Sequence, residues 1–460
     1  IIYYSSYTYC MQLSYFDNLR KFYFIGIGGI SMSALAKFLL AGGYEVAGSD
    51  MTAGEQTEEL ALCGVKIFIG GDAGNPLLRD ADAVVYTSAV SEENAELKEA
   101  RARGKKIWKR SEFLNVVSKT FSHVTAVAGS HGKTTCTAMC AHILRETNVP
   151  FAAHIGGEDG DFGNFYMSGR DFFVTEACEY KKNLLEIEAE TAILLNIDRD
   201  HMECYDGMED LVDTFRQYCN SADTAFVCAD DERCASLGEF STFGIKNPRS
   251  DYRAVNIRQS GQKYSFTVSE YGKSLCRVHL KAAGRCNVYN ALAAFAAMRR
   301  YGFDEREICR GLESFTAVKR RFEHIGNYAG AAFICDYAHH PREILATVAT
   351  AEKMCSGTLY VVFQPHTYSR TKLLMEEFVR ALRPVKNLMI YKTYPAREYF
   401  DAAGSAATLA ENVGSCLYAE SVRELKTWLR STVQTGDIVL FLGAGDIYYA
   451  AQYLLKELNK

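Results

Sequence analysis

Along almost the whole chain, short apolar runs of strand length alternate with stretches whose apolar residues recur at helical spacing. That alternation commits a chain to parallel α/β folding, because parallel strands need a crossover and a helix supplies it. It occurs in three successive blocks. The first, from about Leu19 to Phe121, offers strands at Lys21–Ile25, Tyr44–Ala47 and Ala83–Thr87, with helices near Ser31–Leu40, Gln56–Leu62, Asn94–Arg103 and Glu112–Lys119. The second starts afresh at His123 with the strand HVTAVAG, a helix through Arg145, and buried strands FFVTEA, TAILLNI and TAFVCA. Residues 250–280 then alternate polar and apolar around Gly261 and Gly272, the pattern of an antiparallel appendage, before an Ala-rich helix from Asn287 to Tyr301. The third, from about Thr316, has strands at Ala332–Cys335, Leu359–Phe363, Leu388–Tyr391 and Ile438–Leu442. No short-period repeat runs through any of them.

A length of 460 residues suits three such blocks at roughly 150 residues per domain. Lys and Arg total 51 against 56 Asp and Glu, a formal charge of −5, so bulk charge recruits no nucleic acid; small anions need only a few local donors. The 15 cysteines are scattered and form no CxxC pair, which points to reduced thiols used as small hydrophobes. No window has the length of apolar residues that a membrane span requires. The opening IIYYSSYTYCMQLSY lacks a basic region before an apolar one and so does not read as a signal peptide; Met11 is a candidate start. A cytoplasmic location is the expectation.

Chemistry concentrates at the ends of the expected strands. Gly129-Ser130-His131-Gly132-Lys133-Thr134-Thr135 lies between a strand and a helix, where backbone N–H groups and the positive helix end can face phosphates. Lys133 would reach the outer phosphates and Thr134 would help hold Mg²⁺. The spacing is shorter than the common phosphate-loop pattern, and a Gly-rich turn with an exposed lysine is the plain alternative. Glu176 ends FFVTEA and His201 follows TAILLNI, so both belong to the carboxyl edge where ligands of doubly wound sheets gather; capping is their plain alternative. In the first block, Gly26-Ile27-Gly28-Gly29-Ile30-Ser31 follows a strand and Asp50 ends the next. This nearly reproduces the dinucleotide fingerprint, with Ser31 in place of the third glycine. A nucleotide diphosphate, a nicotinamide cofactor and a structural turn all fit it. The third block carries Asp336-Tyr337-Ala338-His339-His340-Pro341 and Gln364-Pro365-His366-Thr367-Tyr368-Ser369-Arg370 after strands. Helix capping and ligand binding are both open there, and Lys319-Arg320-Arg321 is either a solvated charge run or an anion clamp.

Taken in order, the stretches FIGIGGISMSALA, GSD, TSAV, GSHGKTT, EACEY, NIDRDH, NVYNALAA, VKRRFE, DYAHHP, QPHTYSRT and GAGDI resemble the Mur ligases of peptidoglycan synthesis. The resemblance runs from about Phe22 to Tyr448. It implies an α/β architecture of three domains: an N-terminal Rossmann-like domain for the UDP-sugar (19–121), a central P-loop ATPase-type α/β domain with the small antiparallel appendage (122–315), and a C-terminal Rossmann-like domain for the amino acid and closure (316–460). It implies ATP and Mg²⁺ as cofactors and UDP-N-acetylmuramate and L-alanine as substrates, joined through an acyl phosphate with release of ADP and phosphate. A sister activity joining a peptide to the same sugar nucleotide is the alternative, and a monomer or weak homodimer is expected. Carried onto this chain, Gly26, Gly28, Gly29, Ser49, Asp50 and Ser88 match the sugar-nucleotide motifs. Gly129 through Thr135 match the phosphate loop, and Thr134, Glu176 and His201 the metal ligands. Asn287 and Asn290 match the adenine contacts, and Arg321 and Asp336 match further nucleotide-binding positions. Tyr337, His339 and Arg370 match the region that receives alanine, with Lys133, His339 and Arg370 implied as catalytic. Four departures stand out: Ser31 for a usual Gly, EACEY where many members carry a second acid, Cys286 where a His is common, and Thr367 where some members carry Arg.

Overall fold

The computed structural model describes residue 16 and residues 18–70 and 75–460; the opening stretch considered above as a leader, with Met11, lies outside the described residues. The chain forms two compact units, one from residues up to 254 with 268–276 and 289–314, the other from 255–267, 277–288 and 315–460.

The first unit contains a five-stranded sheet in the order Lys66–Ile69, Glu45–Asp50, Lys21–Ile25, Ala83–Tyr86, Lys106–Lys109. Every pair is parallel. The order reverses beside Lys21–Ile25, which makes the carboxyl end of that strand the switch point where such sheets take ligands. Its strand reads KFYFI and is buried along Phe22–Ile25, as a strand covered on both faces must be. Lys66–Ile69 and Lys106–Lys109 were not expected from sequence. Both are edge strands with charged or half-exposed residues, so they lack the apolar run that marks a central strand.

A second sheet in this unit is led by parallel strands in the order Tyr252–Ser260, Ser241–Gly244, Thr224–Cys228, Thr191–Leu194, His123–Ala128, Phe172–Glu176, Phe151–Asp159. The strand Gly163–Met167 pairs antiparallel with Phe151–Asp159 and closes the edge. This hairpin also escaped the sequence, because FAAHIGGED carries a histidine, two glycines and two acids. Residues 252–280 do hold the expected run of strands, Tyr252–Ser260, Lys263–Glu270 and Lys273–Leu280, with positive φ at Gly261 and Gly272 where the chain turns.

In the second unit a six-stranded sheet runs Glu323–Tyr328, Ala331–Asp336, Ile438–Leu442, Leu359–Phe363, Asn387–Tyr391, Leu417–Ala419. Only the first pair is antiparallel. Helices cover both faces, and two apolar cores fill the space above and below the sheet. No described helix is long and apolar enough to cross a membrane.

Candidate active site

The phosphate loop lies where His123–Ala128 ends and the helix Lys133–Glu146 begins. Gly132 caps that helix with φ +88, and a Cβ there would meet Asn290 Oδ1 at 2.6 Å. Glycine is therefore required twice over, by backbone conformation and by the close approach of Asn290. Thr134 and Thr135 occupy the first turn and are buried. Cys136 Sγ donates to the Asn290 carbonyl at 3.5 Å, so the loop and the Ala-rich helix Cys286–Arg300 are held together.

A second clasp comes from residues that sequence reading left without a role. Asn196 Oδ1 accepts the His131 N–H at 2.8 Å, and its Nδ2 donates to the His131 carbonyl at 2.9 Å. The Ser130 hydroxyl accepts the Asp198 N–H at 2.8 Å, and Asp198 Oδ2 lies 3.2 Å from His131 Nε2. Both partners sit in NIDRDH, and the signal was their place at the end of a buried strand neighbouring the loop strand. Replacing Asn196 by alanine removes both bonds to His131 and leaves two backbone groups to find other partners. The expected result is a rise of about tenfold in the KM for ATP with a folded protein, read from steady-state phosphate release; an unchanged KM would show that the clasp does not hold the loop.

Lys133 is not a solvated lysine. Its ammonium donates to the Gly129 carbonyl at 2.6 Å and to Glu179, whose carboxylate oxygens lie 2.8 and 2.9 Å away. Burial, the largest single influence, works against this charge, but Glu179 together with Cys178 and Glu176 outweighs it and holds the Lys133 pKa above the ordinary lysine value. Glu176 lies close enough to add to the effect, and its Oε1 accepts the Gly156 N–H at 2.7 Å.

The acid that gathers with His201 is Glu179, together with Asp200; one ligand atom of each lies within 4.8 Å of the others. His201 itself takes a left-handed backbone, φ +53, which costs a non-glycine residue roughly 1 kcal/mol and turns it out of the strand-end loop. Two carboxylates and an imidazole beside a lysine-bearing phosphate loop suit a hard divalent cation that shares its shell with phosphate oxygens. Within EACEY, Glu179 is the acid that lies in this group.

At the other switch point of the same unit, Gly26 has φ +82, and the N–H groups of Gly26 and Ile27 both donate to the Ser49 carbonyl, at 2.8 and 2.9 Å. Asp50 Oδ2 accepts the Gly28 N–H at 2.8 Å. Gly29 is the residue before the helix Ile30–Ala41 and has no side chain to occupy that end. Ser49 faces inward: its hydroxyl donates to buried Glu96 at 2.5 Å, so what it offers the loop is its carbonyl. Ser88 contributes a carbonyl to Lys181 Nζ at 3.2 Å.

In the second unit Asp336 ends Ala331–Asp336 and accepts the N–H groups of Phe322 at 2.7 Å and Ala338 at 2.8 Å. Burial pushes its carboxyl up to about 6, against the pull of Arg321 and these N–H donors. Arg320 and Arg321 both lie over the Tyr337 ring, at 4.9 and 4.8 Å. The arginines of VKRRFE are thus gathered at one aromatic face rather than spread in solvent. His340 caps the helix Pro341–Met354, accepting the Arg342 N–H. His339 pairs its ring with His366 at 5.9 Å, and Arg370 Nη1 lies 3.3 Å from His366 Nδ1. Tyr337, His339, His366 and Arg370 therefore form one cluster at the carboxyl edge of this sheet. Asn287 donates to the Ala283 carbonyl at 2.6 Å and stands one turn before Asn290 on their shared helix.

The chain is similar to known proteins along nearly its whole length. Residues 21–122 match the model of the Mur ligase family catalytic domain, 127–298 that of the Mur ligase middle domain, and 320–445 that of the Mur ligase glutamate ligase domain. The chain is 36% identical over 460 residues to the UDP-N-acetylmuramate–L-alanine ligase of Clostridium tetani, covering 97% of this chain and 100% of that protein. It is 39% identical to the enzyme of the same name from Aquifex aeolicus, over 96% and 99% of the two chains. The crystal structure of the UDP-N-acetylmuramate–alanine ligase of Thermotoga maritima superposes with a TM-score of 0.83 at 29% identity, covering 95% of this chain and 99% of that one. Matched block by block along its length and by relatives over nearly all of it, the chain belongs to the Mur ligase family.

Proposed function

We propose that the protein joins L-alanine to the lactyl carboxylate of UDP-N-acetylmuramate with hydrolysis of ATP to ADP and phosphate, a step of peptidoglycan precursor synthesis. The observation that carries this reading is Lys133, held by phosphate-loop carbonyls and Glu179 beside the Glu179–Asp200–His201 group. Relatives that bear the ligase's name over their full length support it. We assign the sugar nucleotide to residues 19–121, ATP to 122–315 and the amino acid to 316–460.

ATP bound with Mg²⁺ supplies the phosphoryl group that turns the lactyl carboxylate into an acyl phosphate, from which the amine of alanine displaces phosphate. In this scheme Lys133 exchanges a carboxylate partner for phosphate oxygens and neutralises charge as it moves. Glu179, Asp200 and His201 would hold the metal, with Thr134 and Glu176 as the further ligands the family resemblance implies, and His201 would have to be neutral to do so. Gly26, Gly28 and Gly29 let backbone approach the sugar nucleotide's diphosphate. Arg370 pairs with the alanine carboxylate. His339 would take a proton from the alanine ammonium; with Nδ1–H donating to the Tyr337 carbonyl at 2.9 Å, Nε2 would be the basic nitrogen.

Phosphate release from ATP and UDP-N-acetylmuramate, with alanine, serine, glycine and a tripeptide offered in turn, tests the reading. Alanine-dependent turnover is expected; turnover only with the tripeptide would transfer the chain to the sister activity. Arg370→Ala should raise the KM for alanine at least about tenfold and leave the KM for ATP unchanged. Equal effects on both would remove Arg370 from the alanine site.

A further inference from the structure

Ser31, the departure from the usual glycine in the sugar-nucleotide loop, is matched by a second polar residue far away in sequence. Its Oγ lies 2.8 Å from Nε2 of His154, on the strand Phe151–Asp159 of the ATP-binding sheet. His154 Nδ1 lies 3.0 Å from Thr175 Oγ1, on the strand that ends in Glu176. Thr175 Oγ1 donates in turn to the Glu176 carbonyl at 3.3 Å, and Arg110 Nη1 donates to Ser31 Oγ at 3.4 Å. His154 and Thr175 are buried.

With its hydrogen spent on Glu176, Thr175 accepts from His154 Nδ1–H; Nε2 then bears the lone pair that accepts the Ser31 hydroxyl hydrogen. The bonds therefore run in one direction, from Arg110 through Ser31, His154 and Thr175 to Glu176. An imidazolium would break that order, and burial together with the nearby Arg110 charge lowers the ring's pKa to about 4, so it is neutral.

We propose that His154 is a positioning residue that, through Ser31 and Thr175, couples the sugar-nucleotide loop to the Glu176 end of the strand paired with the phosphate-loop strand. Loop movement at Gly26–Ser31 is then felt at Glu176, which is also fastened to Gly156 two residues beyond His154. The inference rests on the function proposed above for the two loops. It makes binding of one substrate favour binding of the other without any new contact between them.

Calorimetric titration of ATP–Mg²⁺ into the full chain, with and without saturating UDP-N-acetylmuramate, tests it on wild type, Ser31→Gly, His154→Val, the double variant and His154→Gln. The expected result is at least about fivefold tighter ATP binding with sugar nucleotide in the wild type. That gain is lost in His154→Val and Ser31→Gly, not reduced further in the double variant, and largely kept by His154→Gln, whose amide supplies one donor and one acceptor. A folded His154→Val that keeps the full gain, or a wild type that binds both ligands without coupling, overturns the proposal. A wild type that binds no sugar nucleotide overturns the function reading instead. The Ser31–His154 link is then judged by heat denaturation of the ligand-free proteins, where strictly additive losses in the double variant overturn it.

Discussion

Lys133→Met is expected to abolish alanine-dependent phosphate release, with a loss on the order of 10³-fold or more, and to weaken the fold as well. The first effect follows from removing the one cation of the phosphate loop. The second follows from Glu179, which is 2% exposed and whose carboxylate would lose its buried counter-charge. Breaking a buried pair from one side costs about 3–5 kcal/mol, since the surviving charge stays desolvated. Lys133→Met/Glu179→Gln should regain most of that stability and none of the activity. Urea unfolding and phosphate release on the same three proteins separate the two effects. A Lys133→Met enzyme that turns over would remove the lysine from the mechanism, and a single variant as stable as wild type would show that Glu179 is satisfied by other means. Because the lysine's pKa is raised, its share of the stability is intact below the ordinary value of 10.5 and is lost only as pH rises past that value through the folded one.

Gly132→Ala should cost about 10² in kcat/KM for ATP. Two penalties combine at this position. A φ of +88 strains any residue with a Cβ, by roughly 1 kcal/mol, and the new Cβ would lie 2.6 Å from Asn290 Oδ1 and 3.2 Å from Leu195 Cδ1. Asn290, which we propose as an adenine contact, must then swing away. Gly43→Ala is the control: φ is +80 there, but a Cβ would meet nothing within 4 Å. The control should lose stability to a similar backbone strain and keep its KM for ATP. If Gly132→Ala also keeps its KM, the close packing of Asn290 on the loop has no bearing on nucleotide binding.

The parts of this protein that were legible from sequence are those built from neighbours in the chain. Lys21–Ile25, Leu359–Phe363 and Ile438–Leu442 fall where apolar runs predict them, and GSHGKTT sits in its expected strand–turn–helix setting. Each depends on local periodicity or on glycines within a few residues of one another. Four of the strands that escaped, Lys66–Ile69, Lys106–Lys109, Glu323–Tyr328 and Leu417–Ala419, are sheet edges whose identity comes from the partner they pair with rather than from their own composition.

The site divides in the same way. Lys133 and His201 could be named from motifs, but sequence could not say that Lys133 would rest on Glu179, nor that Asn196 would clasp His131 from another strand. Nor could it join Ser31 to His154, separated by 123 positions. What the sequence alone determined is the set of local devices: parallel strands, the two glycine turns and the reactive side chains placed at strand ends. Only the tertiary structure decided which of those side chains meet, because strand order and register bring distant residues within hydrogen-bond reach, and neither is encoded in the spacing of residues along one strand.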